Sequence, residues 1–170
     1  MKRIAPKGGL CLGKAVKTNV MRRLEAERVP FEARFYPVDE AHLDGLHAAE
    51  ALGLDPAMVF KTLVLSADHG EHLVCVIPVA AEVDLKAAAA ASGHKSAAML
   101  PLKELLPLTG YQRGGCSPIG MKKPFPTLID RSAEALERIG VSGGARGCQV
   151  LLSPADLLRL TGARYADITK

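Results

Sequence analysis

The chain has no tryptophan and only seven other aromatic side chains, three tyrosines and four phenylalanines. That leaves few platforms on which nucleic-acid bases could stack, and no stretch matches a known RNA-reading module. No uninterrupted apolar run approaches eighteen residues, which argues against a helical membrane span. The four cysteines, Cys11, Cys75, Cys116 and Cys148, stand far apart with no C-x-x-C pair. That pattern fits reduced thiols better than a disulfide framework or a zinc knuckle, so the cytoplasm is the expected compartment. His42, His47, His69, His72 and His94 lack the spacing of a metal set, and no cofactor or metal is expected. Met1 to Lys17 carries basic residues but no apolar centre of a secretory signal.

What remains is a globular composition. Of 170 residues 48% are apolar and 24% charged, enough for one packed domain that buries about 70% of its unfolded surface and should be soluble. Charge is uneven along it. Residues 1–28 hold eight cationic side chains against two carboxylates, whereas residues 29–60 hold one arginine against six. Residues 1–15 read as a flexible basic tail and 16–170 as the folded domain. Such an arm could hold RNA phosphates, although solvated surface charge accounts for it equally well.

Periodicity predicts an α/β domain. Helices are expected over Val16–Glu27, Leu43–Leu52, Leu85–Ala91, Leu102–Leu106 and Pro154–Leu160, with Pro107 ending the fourth. Strands are expected over Phe31–Tyr36, Thr127–Asp130, Ile139–Val141 and Val150–Leu152. Phe60–Ala67 and His72–Pro78 flank Asp68-His69-Gly70-Glu71 and read as a β-hairpin.

Three places carry chemistry. Thr109 to Lys123 packs Gly114, Gly115, Cys116, Ser117 and Pro118 ahead of Lys122 and Lys123, a loop that can expose main-chain N–H groups beside cationic charge. Lys61 lies among the apolar residues Val59, Phe60, Leu63, Val64 and Leu65, where a buried ammonium needs a partner or an anionic ligand; reaching water from the strand start is the equal alternative. Ser142-Gly143-Gly144-Ala145-Arg146-Gly147 is a second glycine-rich turn, with a guanidinium suited to phosphate. Tyr36 offers a phenol at the end of an apolar strand.

Phe60-Lys61-Thr62-Leu63, Pro78-Val79, Asp84-Leu85, Thr109-Gly110-Tyr111, Gly114 to Gly120, Thr127 to Asp130 and Val141 to Gly144 follow one another as in the YbaK-like aminoacyl-tRNA deacylases. The chain resembles the Cys-tRNA(Pro) deacylase branch of that family, itself similar to the editing insertion of bacterial prolyl-tRNA synthetases. The resemblance runs from about Val16 to the C-terminus. It implies a strongly curved mixed β-sheet surrounded by helices, and hydrolysis of the ester that joins a wrong amino acid to tRNA. Aminoacyl-tRNA is the implied partner, with prolyl-tRNA synthetase in a transient complex.

Residue by residue, the resemblance implies Lys61 as the essential lysine, with Gly114 and Gly115 as catalytic main-chain donors. It gives Tyr36, Phe60, Thr62, Cys116, Ser117, Ser142, Gly143 and Gly144 to the substrate. Arg22, Lys122, Lys123 and Arg146 are the candidates for tRNA phosphates. An acidic residue in some relatives is replaced here by Gln149, which can hydrogen-bond but cannot act as a base. The implied chemistry is attack by the substrate's own cysteine thiol on its ester. Two other readings stay open: removal of another amino acid, such as alanine, with water as nucleophile, and a silent module that binds tRNA or a synthetase.

Overall fold

The computed structural model describes residues 17–170. The expected basic tail, and Val16 at the expected start of the first helix, lie outside the described residues.

Thr18 caps the first helix, α1 (Asn19–Ala26), accepting a hydrogen bond from the Met21 N–H at 3.2 Å. Three further helices begin at side-chain caps: α2 (Gly45–Leu52) at Asp44, α3 (Leu85–Ala91) at Asp84 and α5 (Pro154–Thr161) at Ser153. The remaining helix, α4 (Leu102–Thr109), corrects the sequence reading, because it continues through Pro107 and closes at Gly110 in the left-handed region. A proline removes one donor only, here the one that would meet Lys103, whose residue is exposed. The last turn holds through Gly110 N–H to Leu106 O at 2.9 Å and Thr109 Oγ1 to Leu105 O at 2.7 Å.

Two sheets are present. The smaller is antiparallel, with β1 (Glu32–Phe35), β7 (Cys148–Leu152) and β6 (Ile139–Ser142) in that order. The larger runs β4 (Ala97–Met99), β2 (Phe60–Ala67), β3 (His72–Pro78), β5 (Thr127–Asp130), β8 (Arg164–Ala166). It is mixed: β4, β2 and β3 pair antiparallel, whereas β3, β5 and β8 pair parallel. A parallel bridge between Val59 and Gly140 joins the two at the start of β2. The expected single curved sheet is therefore divided in two, within the α/β class expected.

The larger sheet is covered on both faces. Phe60, Val64, Val74, Val76 and Ile129 face a core shared with α1 and the smaller sheet. Leu65, Leu73, Cys75 and Ile77 face a second core with Ala88 of α3 and Ile168. Burial on both faces explains why β3 reads as a nearly unbroken apolar run rather than an alternation. The start of β2, where Lys61 and Thr62 sit, lies beside the seam between the sheets.

Candidate functional site

At that seam opens a cleft of about 650 Å³, a volume typical of small-molecule sites. Its walls come from the start of β2, the residues leading into α2, the β4–α4 connection, the 113–116 loop, and the paired ends of β6 and β7. Gly45 lets α2 begin against Val79, because a Cβ there would overlap the Val79 side chain.

Of the residues expected to hold or act on substrate, Tyr36, Phe60, Lys61, Thr62, Gly114, Cys116 and Ser142 line this cleft together. Lys61 is half-buried and forms no ion pair with a described residue. Gly114 has φ +85°, a conformation open to glycine and strained for other residues, and a Cβ there would press on Leu43.

The remaining expected residues lie elsewhere. The Gly115 N–H already donates to Gln112 O at 3.0 Å, so it is not available as an oxyanion donor, and the backbone of Ala145 and Arg146 packs where its Cβ would stand. Gly114 and Cys116 donate their N–H groups to no backbone carbonyl of a described residue. Ser117 is fully buried, with its Oγ accepting from Ile119 N–H at 3.3 Å. Gly143 and Gly144 do not line the cleft; a Cβ on Gly143 would collide with the Cys148 sulfur, and Gly144 turns with φ +91°.

Nor do the expected phosphate contacts reach it. Arg22 is exposed on α1 and bonds Asn19 at 3.0 Å. Lys122 lies at the end of α4, 3.4 Å from Pro107 O, where a cation favours the helix dipole. Lys123 is exposed away from the cleft. Arg146 donates to Arg113 O at 2.8 Å and so ties the two glycine-rich loops together.

Gln149 faces Ser142 across the β6–β7 pair and lines the cleft while only 6% exposed. Burial pushes the Tyr36 phenol above its ordinary pKa, outweighing the hydrogen bond that the Gln149 carboxamide gives it. Gln149 Oε1 is left with no partner, and so is Thr62 Oγ1. Among the described residues these are the only buried side-chain polar atoms in that state, and both belong to the wall of one cleft. Buried polar groups are nearly always paired, so these two atoms, unpaired by the protein itself, are acceptors offered to whatever fills the cleft.

Among the described residues the cleft offers no thiolate. Burial pushes the Cys116 thiol up to about 12, and Cys75 and Cys148 likewise, so none of the three is a thiolate at neutral pH. No histidine lines the cleft. Asp44 lies at its edge with one carboxylate oxygen capping α2, and the His47 N–H at 2.9 Å holds that carboxyl below its ordinary value.

Among the lining groups that sequence reasoning missed are one cation and three large apolar side chains. Arg113 is exposed, forms no ion pair with a described residue, and was masked by the adjacent glycines. Leu46, Met99 and Leu102 come together only when three elements converge.

The cleft thus joins the polar groups of Thr62, Ser142 and Gln149, one half-buried ammonium and a left-handed glycine at a seam between two sheets. The chain belongs to the aminoacyl-tRNA editing domain family, whose model matches residues 45–160. A protein of Enterococcus faecalis, EbsC, provisionally named a Cys-tRNA(Pro)/Cys-tRNA(Cys) deacylase, is 46% identical over 153 residues, which span 90% of this chain and 93% of that one. Two solved structures share the fold. One is provisionally titled a trans-editing enzyme for prolyl-tRNA synthetase, with TM-score 0.76 and 24% identity over 90% of this chain and 98% of its own. The other is the hypothetical protein APE2540, with TM-score 0.81 and 23% identity over 89% and 99%.

Proposed function

We propose that this aminoacyl-tRNA deacylase releases cysteine from mischarged Cys-tRNA(Pro), by attack of the substrate's own thiol on its ester. The observation that carries the reading is the pair of unpartnered atoms, Thr62 Oγ1 and Gln149 Oε1, in one cleft with Lys61 and, among the described residues, no thiolate or histidine. The likeness to EbsC supports the choice of cysteine.

In this reading the aminoacyl group enters the deep end, and its polar groups pair with Thr62 and Gln149. Lys61 positions the ester through the ribose or phosphate oxygens of the terminal nucleotide, a task suited to a compact charge. The cysteinyl sulfur attacks the ester carbon, the ribose hydroxyl leaves with the thiol proton, and a thiolactone forms that water then opens to free cysteine. Holding sulfur and carbonyl in near-attack geometry lowers such a barrier by roughly 7 to 11 kcal/mol in favourable intramolecular cases. The Gly114 N–H serves the oxyanion, a contribution of about 3 kcal/mol for one such donor. Proline carries no thiol, so correctly charged Pro-tRNA is spared by its chemistry.

The reading places the enzyme in the cytoplasm, where charged tRNA is used, with tRNA identity supplied by a partner synthetase. Among the described residues no helix is long and apolar enough to cross a membrane.

The test is deacylation of Cys-tRNA(Pro) by the wild type and by Lys61→Ala, with tRNA binding measured in parallel. Fast release by the wild type and loss in the variant are expected. Binding without release by the wild type would make the chain a silent tRNA-binding module.

A further inference from the structure

Among the described residues five large apolar side chains stand exposed: Val38, Leu46, Met99, Leu102 and Leu106. Scattered singly, such residues need no explanation. Three of the five, however, line one cleft from three separate elements: Leu46 on α2 at 47% exposure, Met99 at the end of β4 at 49%, and Leu102 at the start of α4 at 59%. Met99 is held beside β2 by its pairing with Leu65, and the next residue donates Leu100 N–H to Val64 O at 3.2 Å. This apolar lip is thus fixed to the same strand that carries Lys61 and Thr62. Arg113, an exposed cation with no ion pair to a described residue, lines the cleft as well.

We infer that this lip is the seat of the terminal nucleoside of the tRNA, with its base on Leu46, Met99 and Leu102 and its 5′-phosphate at Arg113. The inference rests on the deacylase reading above and extends it from the aminoacyl end to the nucleotide. Its chemistry follows from what the cleft offers beyond the ester. The deep end supplies the polar partners Thr62, Ser142 and Gln149, and a volume of about 650 Å³ exceeds what one cysteinyl group fills. The group covalently next to the ester is a ribose bearing a flat base and a phosphate. A purine face gains by covering aliphatic surface, a guanidinium pairs well with phosphate, and both kinds of group are exposed on this cleft and otherwise unused. Aliphatic side chains give the base no hydrogen-bond readout, so the lip holds the common 3′ end of every tRNA without reading its identity.

The test compares two esters of cysteine, 3′-O-cysteinyl-AMP and cysteine ethyl ester, by KM. The wild type should prefer the nucleotide ester, and Met99→Ser/Leu102→Ser should reduce that preference about tenfold, the order expected for losing partial burial of two such side chains. Leu106→Ser, an equally exposed leucine on α4 that does not line the cleft, should keep it. Arg113→Ala should reduce the preference for 3′-O-cysteinyl-AMP over 3′-O-cysteinyl-adenosine. A preference unchanged in Met99→Ser/Leu102→Ser, or lost to the same extent in Leu106→Ser, would overturn the inference. Cleavage of the ethyl ester with no nucleotide preference in the wild type would overturn it alone. Failure to cleave either ester would overturn the deacylase reading and this inference with it.

Discussion

Asp130 and Gln149 are each 6% exposed, yet their surroundings are opposite. At the end of β5, Asp130 is fully used: Oδ1 accepts from Ile168 N–H and Thr169 Oγ1, both at 3.3 Å, and Oδ2 from Ser132 N–H at 3.2 Å and Ser132 Oγ at 2.6 Å. This carboxylate knots the C-terminal residues to the larger sheet. Glu32 on β1 is similar, taking Arg34 at 3.0 Å and Arg138 at 2.9 Å. In the cleft wall Gln149 Oε1 and Thr62 Oγ1 are buried and accept nothing. The fold itself closes every bond at the knot and leaves the two acceptors at the site to be met by what fills the cleft. The difference separates polar groups that hold the fold from those kept open for a ligand.

Four outcomes test that difference. Lys61→Ala should lower kcat/KM for deacylation about a hundredfold or more, by loss of charge stabilisation at the ester, and should leave the unfolding midpoint nearly unmoved. Asp130→Ala should do the reverse. It strands the buried Ile168 N–H and removes the bonds to Ser132 and Thr169, so denaturant unfolding should show a loss of about 1 to 3 kcal/mol, with activity per folded molecule retained.

Gln149→Leu joins both effects in one residue. Replacing the amide by an apolar group of similar size sets the lost hydrogen bond to Tyr36 against removal of an unpaired oxygen, so stability should be nearly unchanged, while kcat/KM falls about tenfold. A destabilised Gln149→Leu protein would show that the amide is structural after all.

The smallest effect concerns acid. Burial alone would raise the Glu32 pKa, but the hydrogen bonds from Arg34 and Arg138 outweigh it, and the folded-state value lies below the ordinary 4.5. A group lowered in this way contributes stability that is present above the unfolded-state pKa and is lost as pH falls through the folded one. Unfolding midpoints of Glu32→Gln should therefore depend less steeply on pH below about 4.5 than those of the wild type.

The sequence made the hairpin legible to the residue. Phe60–Ala67 and His72–Pro78 agree at both ends, since two apolar runs around a polar, glycine-containing turn permit little else. Helix starts were legible at Asp84-Leu85 and Ser153-Pro154, whereas the second helix was expected from Leu43, two residues ahead of its start at Gly45 behind the Asp44 cap. The three-residue strands β4 and β8 were not, because Arg164-Tyr165-Ala166 has no strand pattern of its own and is extended by pairing with β5. In the cleft, Lys61 and the two glycine-rich loops stood out as charge and flexibility in unusual company. Gly115 was misjudged because sequence gives a glycine's freedom but not whether its N–H is already spent on Gln112. The unpaired state of Thr62 and Gln149 was invisible for the same reason, being a property of what the fold fails to bring near them.

The most direct measurement is the rate at which the wild type deacylates Cys-tRNA(Pro) and Ser-tRNA(Pro) side by side, with trapping of any thiolactone. If the substrate's sulfur performs the attack in this cleft, cysteine is released about a hundredfold faster or more, because a thiol ionises and attacks far more readily than a hydroxyl held in the same place, and thiolactone is captured. Serine released as fast as cysteine, with no thiolactone, would contradict it.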